Sequence, residues 1–515
     1  MKINMKKTLT LLFLSSQIAF AQQNPNTEKL NPIVQNIVNE VNTNSQVENL
    51  AFELLDVIGP RLVGSPAMEK SNDWSVDKFR SWGIDAQKQQ FGEWASWQRG
   101  ITQVEMTSPR VKSLESQQLA WSPATKKPIE AEVVILPNIQ NKEEFANWLK
   151  TVKGKFVLMS QYQRSGRPDH QIKEFALPEN YELLKKQRAK DTEDFNKLIA
   201  NTGYNTSTLP EALENAGAAG IAVSNWTGIM GANRIFGAKT KKIPMIDISL
   251  EDYGMLYRLA LNGKSPKIKV NTQSKNLGKA KSFNTIATIP GKEKPNEYVI
   301  LSAHLDSWDG AQGATDNGTG VIIMMEAARL LKKYYPNNKR TILIGLWGSE
   351  EQGLNGSRAF VKDNPNIVSQ TQVVFNNDTG TGRTNFINGQ GFTESYDFLG
   401  RWFTALPKKI KDEMKTDFPG MPSGGGSDHS SFTSAGIPAY YMGASNWGYS
   451  GYTWHTNKDT YDKIMFDEVK SSVITAAVLA YMASEEADLV NRQKRILPEG
   501  QSWPQPQEPK RTGTN

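Results

Sequence analysis

The sequence contains no cysteine in its 515 residues. Disulfide bonds, thiolate metal ligands, a cysteine nucleophile and a lipid anchor attached to cysteine are therefore excluded. Histidine is also scarce, with four residues in all. Any metal ion must be held by these few imidazoles together with aspartate and glutamate carboxylates.

No apolar run is long enough for a membrane span. The run at residues 9–20 is too short to cross a bilayer and is interrupted by Ser15-Ser16-Gln17. It follows three lysines and ends in Ala19-Phe20-Ala21, which is typical of a cleaved signal peptide over residues 1–21. The sequence therefore predicts a secreted or periplasmic protein with no membrane span after cleavage.

Charge of either sign is not concentrated in blocks. Lysine and arginine number 60 and aspartate and glutamate 53, which gives a formal net charge of +7. Basic clusters such as Lys239 with Lys241-Lys242 are short and lack the interleaved aromatic side chains of a nucleic-acid groove. We expect no nucleic-acid partner. The oligomeric state stays open, with a homodimer as one option.

Beyond Ser282, apolar strands alternate with helical segments, which predicts a doubly wound, mostly parallel α/β sheet. A similar alternation earlier in the chain predicts a smaller inserted α/β module. The C-terminal tail contains many prolines and polar residues, which bury too little apolar surface to order it. The predicted organisation is a signal peptide at 1–21, the N-terminal part of the main domain at 22–120, the inserted module at 121–277, the core of the main domain at 278–495 and a disordered tail at 496–515.

Metal-binding side chains follow three predicted strands of the main domain: His304 with Asp306, Glu350 with Glu351, and Asp378. The carboxyl ends of parallel strands meet at one edge of a sheet, so we expect these side chains to lie together. Asp306, two residues from His304 on an extended chain, is predicted to accept the second imidazole N–H. Of the adjacent glutamates, Glu351 is predicted to bind metal and Glu350 to take a proton from an attacking water.

Two further residues complete the predicted cluster. Asp316 lies in a glycine-rich turn that opens a helix, from which its carboxylate can bridge two metal ions. His455 supplies a second imidazole after the strand PAYYMG, so that each metal has two ligands of its own and shares Asp316. Three ligand carboxylates and a bridging hydroxide balance the charge of two divalent ions, and this ligand set suits catalytic zinc. We therefore predict two Zn2+ per chain.

The order of these motifs resembles that of di-zinc aminopeptidases and glutamate carboxypeptidase-like enzymes. The resemblance is carried by SAHLDSWDGAQGATDNGTG, LWGSEEQGLNGS, FNNDTG, GGGSDHSSF and WHTNKDT, and it extends upstream to GPRLVGS and WQRG. It implies that residues 121–277 form a protease-associated-type apical domain. It also implies one zinc on His304, Asp316 and Asp378, the other on Asp316, Glu351 and His455, with Glu350 as general base and Asp306 behind the ligands.

The residues that contact substrate are harder to predict. Members of this group often place a tyrosine, a second aromatic residue or a histidine near the last zinc histidine to polarise the scissile carbonyl, whereas Trp454 precedes His455 in this sequence. Either Tyr452 takes this role or zinc alone does. His429 is a candidate either for substrate contact or for a structural hydrogen bond, and Arg383 is a candidate partner for a substrate carboxylate.

The sequence thus predicts a di-zinc metallo-exopeptidase that acts on peptides or dipeptides through a zinc-bound hydroxide and a glutamate base. Two alternatives remain: a non-catalytic, receptor-like binding protein, and an amide hydrolase with a non-peptide substrate. Serine chemistry is disfavoured because Ser427-Asp428-His429 is not accompanied by a G-x-S-x-G elbow. The choice among aminopeptidase, carboxypeptidase and dipeptidase stays open.

Overall fold

The computed structural model describes residues 30–513. The predicted signal peptide lies outside these residues. The helices are α1 Pro32–Asn44, α2 Val47–Ala51, α3 Pro66–Ser81, α4 Lys142–Leu149, α5 Asp169–Phe175, α6 Pro178–Asn201, α7 Leu209–Asn215, α8 Leu250–Leu261, α9 Thr319–Tyr334, α10 Asn355–Asp363, α11 Pro365–Ser369, α12 Ser395–Thr404, α13 Lys408–Lys411, α14 His429–Ser434, α15 Tyr449–Tyr452 and α16 Phe466–Glu485. Phe52–Ile58 and Ala314–Gly318 are π-helical, and Tyr461–Lys463 is a 3-10 turn.

The described strands belong to one continuous sheet. They are β1 Asp85–Ser108, β2 Lys112–Ser113, β3 Ser116–Gln118, β4 Ile129–Ile135, β5 Phe156–Leu158, β6 Gly220–Val223, β7 Met245–Ile248, β8 Lys267–Ile289, β9 Lys294–His304, β10 Arg340–Trp347, β11 Thr371–Asn376, β12 Thr384–Asn388, β13 Lys415–Asp417, β14 Ala439–Ala444 and β15 Thr512–Gly513. The spatial order is β13-β12-β14-β11-β9-β10-β8-β4-β5-β6-β7-β3, and β1 pairs with β8.

The central strands β14, β11, β9 and β10 are parallel neighbours. Their side chains are apolar and buried on both faces, as parallel strands covered by helices require. In β9, for example, Val299 and Leu301 pack into the core shared with α9 and α16, whereas Ile300 faces the opposite core beside α10 and α14. Helices therefore cover both faces, and the predicted doubly wound α/β fold is confirmed.

Local sequence signals set several helix starts. Ser65 caps α3 by accepting a hydrogen bond from the Met68 N–H at 3.1 Å, and Pro66 occupies the first turn, where no amide donor is needed. Ser249 caps α8 in the same way through Asp252 N–H. These caps fix where each chain segment leaves the sheet and enters a helix.

Strands β4–β7 and helices α4–α8 form a structure that we call the lateral lobe, defined as residues 129–261. Its apolar side chains form two clusters of their own, around Phe145 and Ile221 on one side and Tyr253 and Leu256 on the other. The second cluster also includes Val104 from β1. Because β1 and β8 run from one core to the other, the domain boundaries at 121 and 277 stay a prediction.

The C-terminal segment differs from the expectation of a disordered tail. The Trp503 ring packs 5.5 Å from the Phe392 ring, and its Nε1 donates to the Arg495 carbonyl at 3.1 Å. Further on, β15 pairs in parallel with β1 through Thr512 and Glu93. Composition alone missed this because a few long-range contacts, one of them to an aromatic ring, anchor a segment with little apolar surface of its own.

None of the helices within residues 30–513 is long and apolar enough to cross a membrane.

We predict that Trp503→Ala lowers the free energy of unfolding by about 1–3 kcal/mol, since the half-buried ring would leave Phe392 uncovered. The measurement is guanidinium-induced unfolding followed by circular dichroism. Ile496→Ala is the matched control, because Ile496 is 95% exposed in the same segment. Equal unfolding midpoints for the two variants would contradict an ordered tail.

Candidate metal centre

The first imidazole of the site lies at the carboxyl end of β9. His304 is buried, and its Nε2 lies 3.3 Å from Asp316 Oδ1 and 3.4 Å from Asp378 Oδ1. Asp378 follows β11, the strand beside β9, and Asp316 lies in the turn before α9. The three side chains therefore meet at one point although they come from different parts of the chain.

The second imidazole approaches the other side of Asp316. His455 Nε2 lies 3.2 Å from Asp316 Oδ2 and 2.8 Å from Glu351 Oε2. Glu351 follows β10, the neighbour of β9 on the opposite side from β11. One carboxylate thus faces two imidazoles, with one oxygen directed to each.

Both groups of side chains have the chemistry of a metal site. In each group the candidate ligand atoms lie within 4.8 Å of one another. Two ligands of a tetrahedral ion, each about 2.1 Å from the metal, lie about 3.4 Å apart, which is close to the observed separations. Four buried atoms have no hydrogen-bond partner: His304 Nε2, Asp316 Oδ2, Glu351 Oε1 and Asp378 Oδ1. Unsatisfied buried atoms of this kind are rare unless a ligand occupies the site, so the residues fit a bound cation.

The shifted pKa values of the glutamates at the site also favour a bound cation. Burial raises the pKa of Glu350 well above its usual range; His304 opposes this shift, and the nearby carboxylates of Asp378, Asp428 and Glu351 add to it. Burial and the Asp316 carboxylate raise the pKa of Glu351 to about 7. Negative charge is therefore crowded here, and two divalent ions would relieve the crowding.

Asp306 has a different role from the predicted one. His304 Nδ1 lies 3.0 Å from the Asp306 main-chain carbonyl but 3.7 Å from its carboxylate, too far for a hydrogen bond. The carboxylate instead accepts hydrogen bonds from the backbone N–H groups of Glu350 and Glu351, at 3.0 and 3.3 Å. Asp306 thus orients the imidazole through its backbone and the glutamate pair through its side chain.

Sequence reasoning missed Asp459. Its carboxylate accepts hydrogen bonds from the backbone N–H groups of Thr315 and Asp316, at 2.7 and 3.0 Å, and from the Thr315 hydroxyl at 2.8 Å. Burial raises the pKa of Asp459 to about 7. The signal was present, because Asp459 is the only acidic residue of the WHTNKDT motif that carries His455.

Arg61 was also missed as a functional residue. It is fully buried and donates to the Gly59 carbonyl at 3.3 Å and to three carbonyls further along the chain, those of Leu305 at 2.6 Å, Gln312 at 2.8 Å and Gly313 at 2.8 Å. The last three carbonyls span the loop between His304 and Asp316, so Arg61 holds that loop closed. Burial lowers the pKa of Arg61 to about 10, which leaves it positively charged near the carboxylates.

One aromatic residue, Tyr441, contacts both Asp378 and His429. Tyr441 donates from its hydroxyl to the main-chain carbonyl of Asp378 at 2.6 Å. The His429 ring packs 5.2 Å from the Tyr441 ring, and burial lowers the pKa of His429 to about 4, which keeps the imidazole neutral. His429 therefore lies beside the site as a buried neutral ring, and its Nδ1 has no hydrogen-bond partner.

The aromatic side chains near His455 pack against several partners, and the role of Tyr452 stays a prediction. Trp454 stacks on the His455 ring, with centroids 3.9 Å apart. Tyr452 packs under the Lys463 ammonium group, 5.6 Å from its ring centroid. Burial, together with the charges of Asp316 and Asp378, raises the pKa of Tyr449, and burial with the same two carboxylates raises the pKa of Tyr441.

Arg383 is not free to bind a substrate carboxylate. Its guanidinium group forms ion pairs with Glu413 at 2.6 Å and Glu468 at 2.7 Å. Both partners hydrogen-bond to the guanidinium group, which neutralises its charge. The sequence could not predict this, because neither glutamate is near Arg383 in the chain.

The chain combines a mostly parallel α/β sheet with two groups of side chains near its strand ends, each made of one imidazole and two carboxylates. This combination is typical of α/β metallohydrolases. Within that class, residues 284–481 match the profile of Peptidase family M28, so the chain carries a domain of this family. It is homologous to carboxypeptidase Q of Bos taurus and of Homo sapiens, each 26% identical over 451 residues that cover 87% of either chain. The predicted family resemblance is confirmed.

Solved structures agree with this fold. The crystal structure of a Peptidase M28 precursor from Shewanella amazonensis SB2B matches with a TM-score of 0.64 and 23% identity, over 90% of this chain and 98% of that chain. The structure of BSAP, a zinc aminopeptidase from Bacillus subtilis, matches with a TM-score of 0.56 and 18% identity, over 87% of this chain and 97% of that chain. At these identities the matches establish the architecture.

We predict that Asp306→Asn weakens metal binding by about 10–100-fold, since the new amide group cannot accept both backbone hydrogen bonds of the glutamate pair. The measurement is a Zn2+ titration of the metal-free protein against a competing chelator. Asp363→Asn is the control, because Asp363 forms only an exposed ion pair with Arg511. Unchanged Zn2+ affinity in Asp306→Asn would refute the orienting role.

Proposed function

We propose that this protein is an exported, zinc-dependent exopeptidase that binds two Zn2+ ions and hydrolyses terminal peptide bonds of peptides or dipeptides. The observation that carries the proposal is the position of Asp316, whose two carboxylate oxygens face two different imidazoles. Export rests on the signal-like pattern at residues 1–21. We also propose that residues 121–277 are a protease-associated-type domain, supported by their separate hydrophobic clusters.

In this proposal His304, Asp316 and Asp378 hold one zinc ion, and Asp316, Glu351 and His455 hold the other. Bound zinc would supply Lewis acidity, polarising the scissile carbonyl and making water easier to deprotonate. The protein has to fix the ligands and keep the adjacent Glu350 free of the metal. Asp306 supports this arrangement, because it binds the backbone of both glutamates.

Glu350 is proposed as the general base. Its carboxylate takes the proton of the attacking water and passes it to the nitrogen of the leaving amine. Its half-buried position beside Glu351 supports this role, because a base must lie next to the metal without binding it. A neighbouring cation would lower the raised pKa of this buried carboxyl group and so favour the ionised form that accepts a proton.

The end preference is proposed only as exopeptidase. Carboxypeptidase Q is named for cleavage at the carboxyl end, whereas the Bacillus subtilis enzyme is named an aminopeptidase. Both kinds of substrate therefore belong in the assay: dipeptides, aminoacyl anilides and peptides blocked at either end.

We predict that the mature protein contains two zinc ions per chain and loses all hydrolysis when they are chelated. The measurement is elemental mass spectrometry paired with the substrate panel, before and after chelation and after zinc is restored. His455→Gln is expected to lose one ion, because it removes a ligand, whereas His170→Gln serves as the control with an exposed imidazole. Metal-free wild-type protein with undiminished hydrolysis would overturn the proposal.

We predict that Glu350→Gln lowers hydrolysis by about 100-fold to 10,000-fold while both zinc ions stay bound, since the amide cannot accept a proton. The measurements are kcat on the best substrate of the panel and zinc content. Glu508→Gln, on an exposed side chain, is the control. Near-normal activity would show that Glu350 is not the base, and loss of zinc would make it a ligand.

A further inference from the structure

Three alternate residues of one short segment reach three different parts of the molecule. His455 faces the Asp316 and Glu351 carboxylates. Asp459 holds the backbone of the turn that carries Asp316. Asn457, between them, contacts neither carboxylate; its partners belong to the lateral lobe.

Asn457 and Asn233 of the lateral lobe form a reciprocal pair. Asn457 Oδ1 accepts a hydrogen bond from the Asn233 N–H at 2.9 Å, and the Asn457 N–H donates to the Asn233 carbonyl at 3.1 Å. Asn457 Nδ2 also donates to the Gly231 carbonyl at 3.3 Å. Ile235 follows Asn233 by two residues, and His455 precedes Asn457 by two. The Ile235 N–H donates to the main-chain carbonyl of His455 at 2.7 Å. The lobe is thus bonded to the backbone of a proposed metal ligand.

The lobe side of this contact is firmly anchored. Asn233 is 2% exposed, and its Nδ2 donates to the Asp247 carboxylate at 3.1 and 3.2 Å, to the Ile248 carbonyl at 3.0 Å and to Ser224 Oγ at 3.2 Å. Asp247 and Ile248 belong to the buried strand β7. Asn233 is bonded to strand β7. Its hydrogen bonds to Asn457 therefore fix the position of Asn457 relative to the sheet of the lobe.

A second contact runs in parallel through Arg234. Its Nη1 donates to the Trp454 carbonyl at 3.1 Å and its Nη2 to the Ser450 carbonyl at 2.8 Å. The guanidinium carbon lies 4.4 Å from the centre of the Trp454 ring, and that ring stacks on His455. Arg234 has no carboxylate within ion-pair distance among residues 30–513. Its hydrogen bonds are therefore available for the loop.

His455 needs such support because of its backbone. Its φ is +53°, a left-handed conformation that residues with a Cβ rarely adopt. A strained residue of this kind persists only where the surrounding structure holds it in place. The Ile235 N–H, the Asn457–Asn233 pair and the Arg234–Trp454 stack are among the contacts that surround it, together with the rings of Phe236 and Trp308.

We infer that Asn457 is a positioning residue through which the lateral lobe fixes His455 and thereby sets the affinity for the metal ion held by Asp316, Glu351 and His455. The inference rests on the proposed two-zinc function. By this inference the lobe affects metal binding by positioning His455, although none of the proposed ligands belongs to the lobe. The other ion is held by His304 and Asp378, which lie at or just after strand ends, and by the shared Asp316, and Asn457 has no hydrogen bond to any of these three residues, so this ion is not under the same control.

The test is a Zn2+ titration of metal-free Asn457→Ala, which keeps every ligand but loses both side-chain hydrogen bonds to the lobe. We expect one of the two binding steps to weaken by about 10–100-fold and the other to stay unchanged. Asn457→Asp keeps the acceptor oxygen for the Asn233 N–H and is expected to restore most of the lost affinity. At saturating Zn2+ the KM of Asn457→Ala is expected to match that of the wild type.

The control is Asn201→Ala, which removes a part-buried hydrogen bond to the Ile139 carbonyl, 2.9 Å in length, elsewhere in the lobe. It should leave both binding steps unchanged. If Asn457→Ala does not fold, as judged by circular dichroism, Arg234→Lys tests whether the lobe positions His455 through the parallel contact to Trp454 and Ser450, because lysine keeps the charge but cannot donate to both carbonyls in the same geometry.

Unchanged Zn2+ affinity in the variants, or equal weakening of both binding steps, would overturn the inference. Failure of the wild type to bind zinc would instead overturn the proposed function, and this inference with it. The wild-type titration therefore separates the two failures.

Discussion

The main physical constraint on the structure is the large number of carboxylates near the carboxyl ends of β9, β10 and β11. Seven carboxylates lie around two imidazoles there: Asp306, Asp316, Glu350, Glu351, Asp378, Asp428 and Asp459. In a buried environment so many like charges repel strongly. Hydrogen bonds and the positive charge of Arg61 offset part of this repulsion. Several buried atoms of the proposed ligands have no hydrogen-bond partner, and bound cations would neutralise the negative charge that remains.

The supporting contacts share one feature, which is that they act on the backbone rather than on the ligand atoms. Asp306 binds the N–H groups of the glutamate pair, Asp459 binds those of the Asp316 turn, and Arg61 binds the carbonyls between His304 and Asp316. The atoms of the proposed ligands thus face one another while their chain positions are fixed by other residues. A metal site preorganised in this way loses little conformational freedom when an ion binds.

Much of this arrangement could be predicted from the sequence, because buried parallel strands and the polar residues that follow them are local signals. His304, Glu351 and Asp378 were found in this way; His304 and Asp378 lie in one group of candidate ligands and Glu351 in the other, and Asp316 is common to both groups. Contacts between distant segments left no such signal. The partners of Arg383, the anchoring of Trp503 and the role of Arg61 all depend on residues far away in the chain, and no composition or spacing rule identifies such pairs.

The proposed ligands also differ in how the sheet holds them. His304 pairs with Trp347 in the sheet, and Glu351 and Asp378 follow their strands within a few residues, so the sheet brings all three close to the site. His455 lies well beyond the end of β14, in a partly exposed loop that also contains α15. The sheet cannot fix a residue at that distance, and its left-handed backbone is unfavourable by itself. The lateral lobe supplies the missing constraint, which explains why a segment without any ligand contacts the backbone of one.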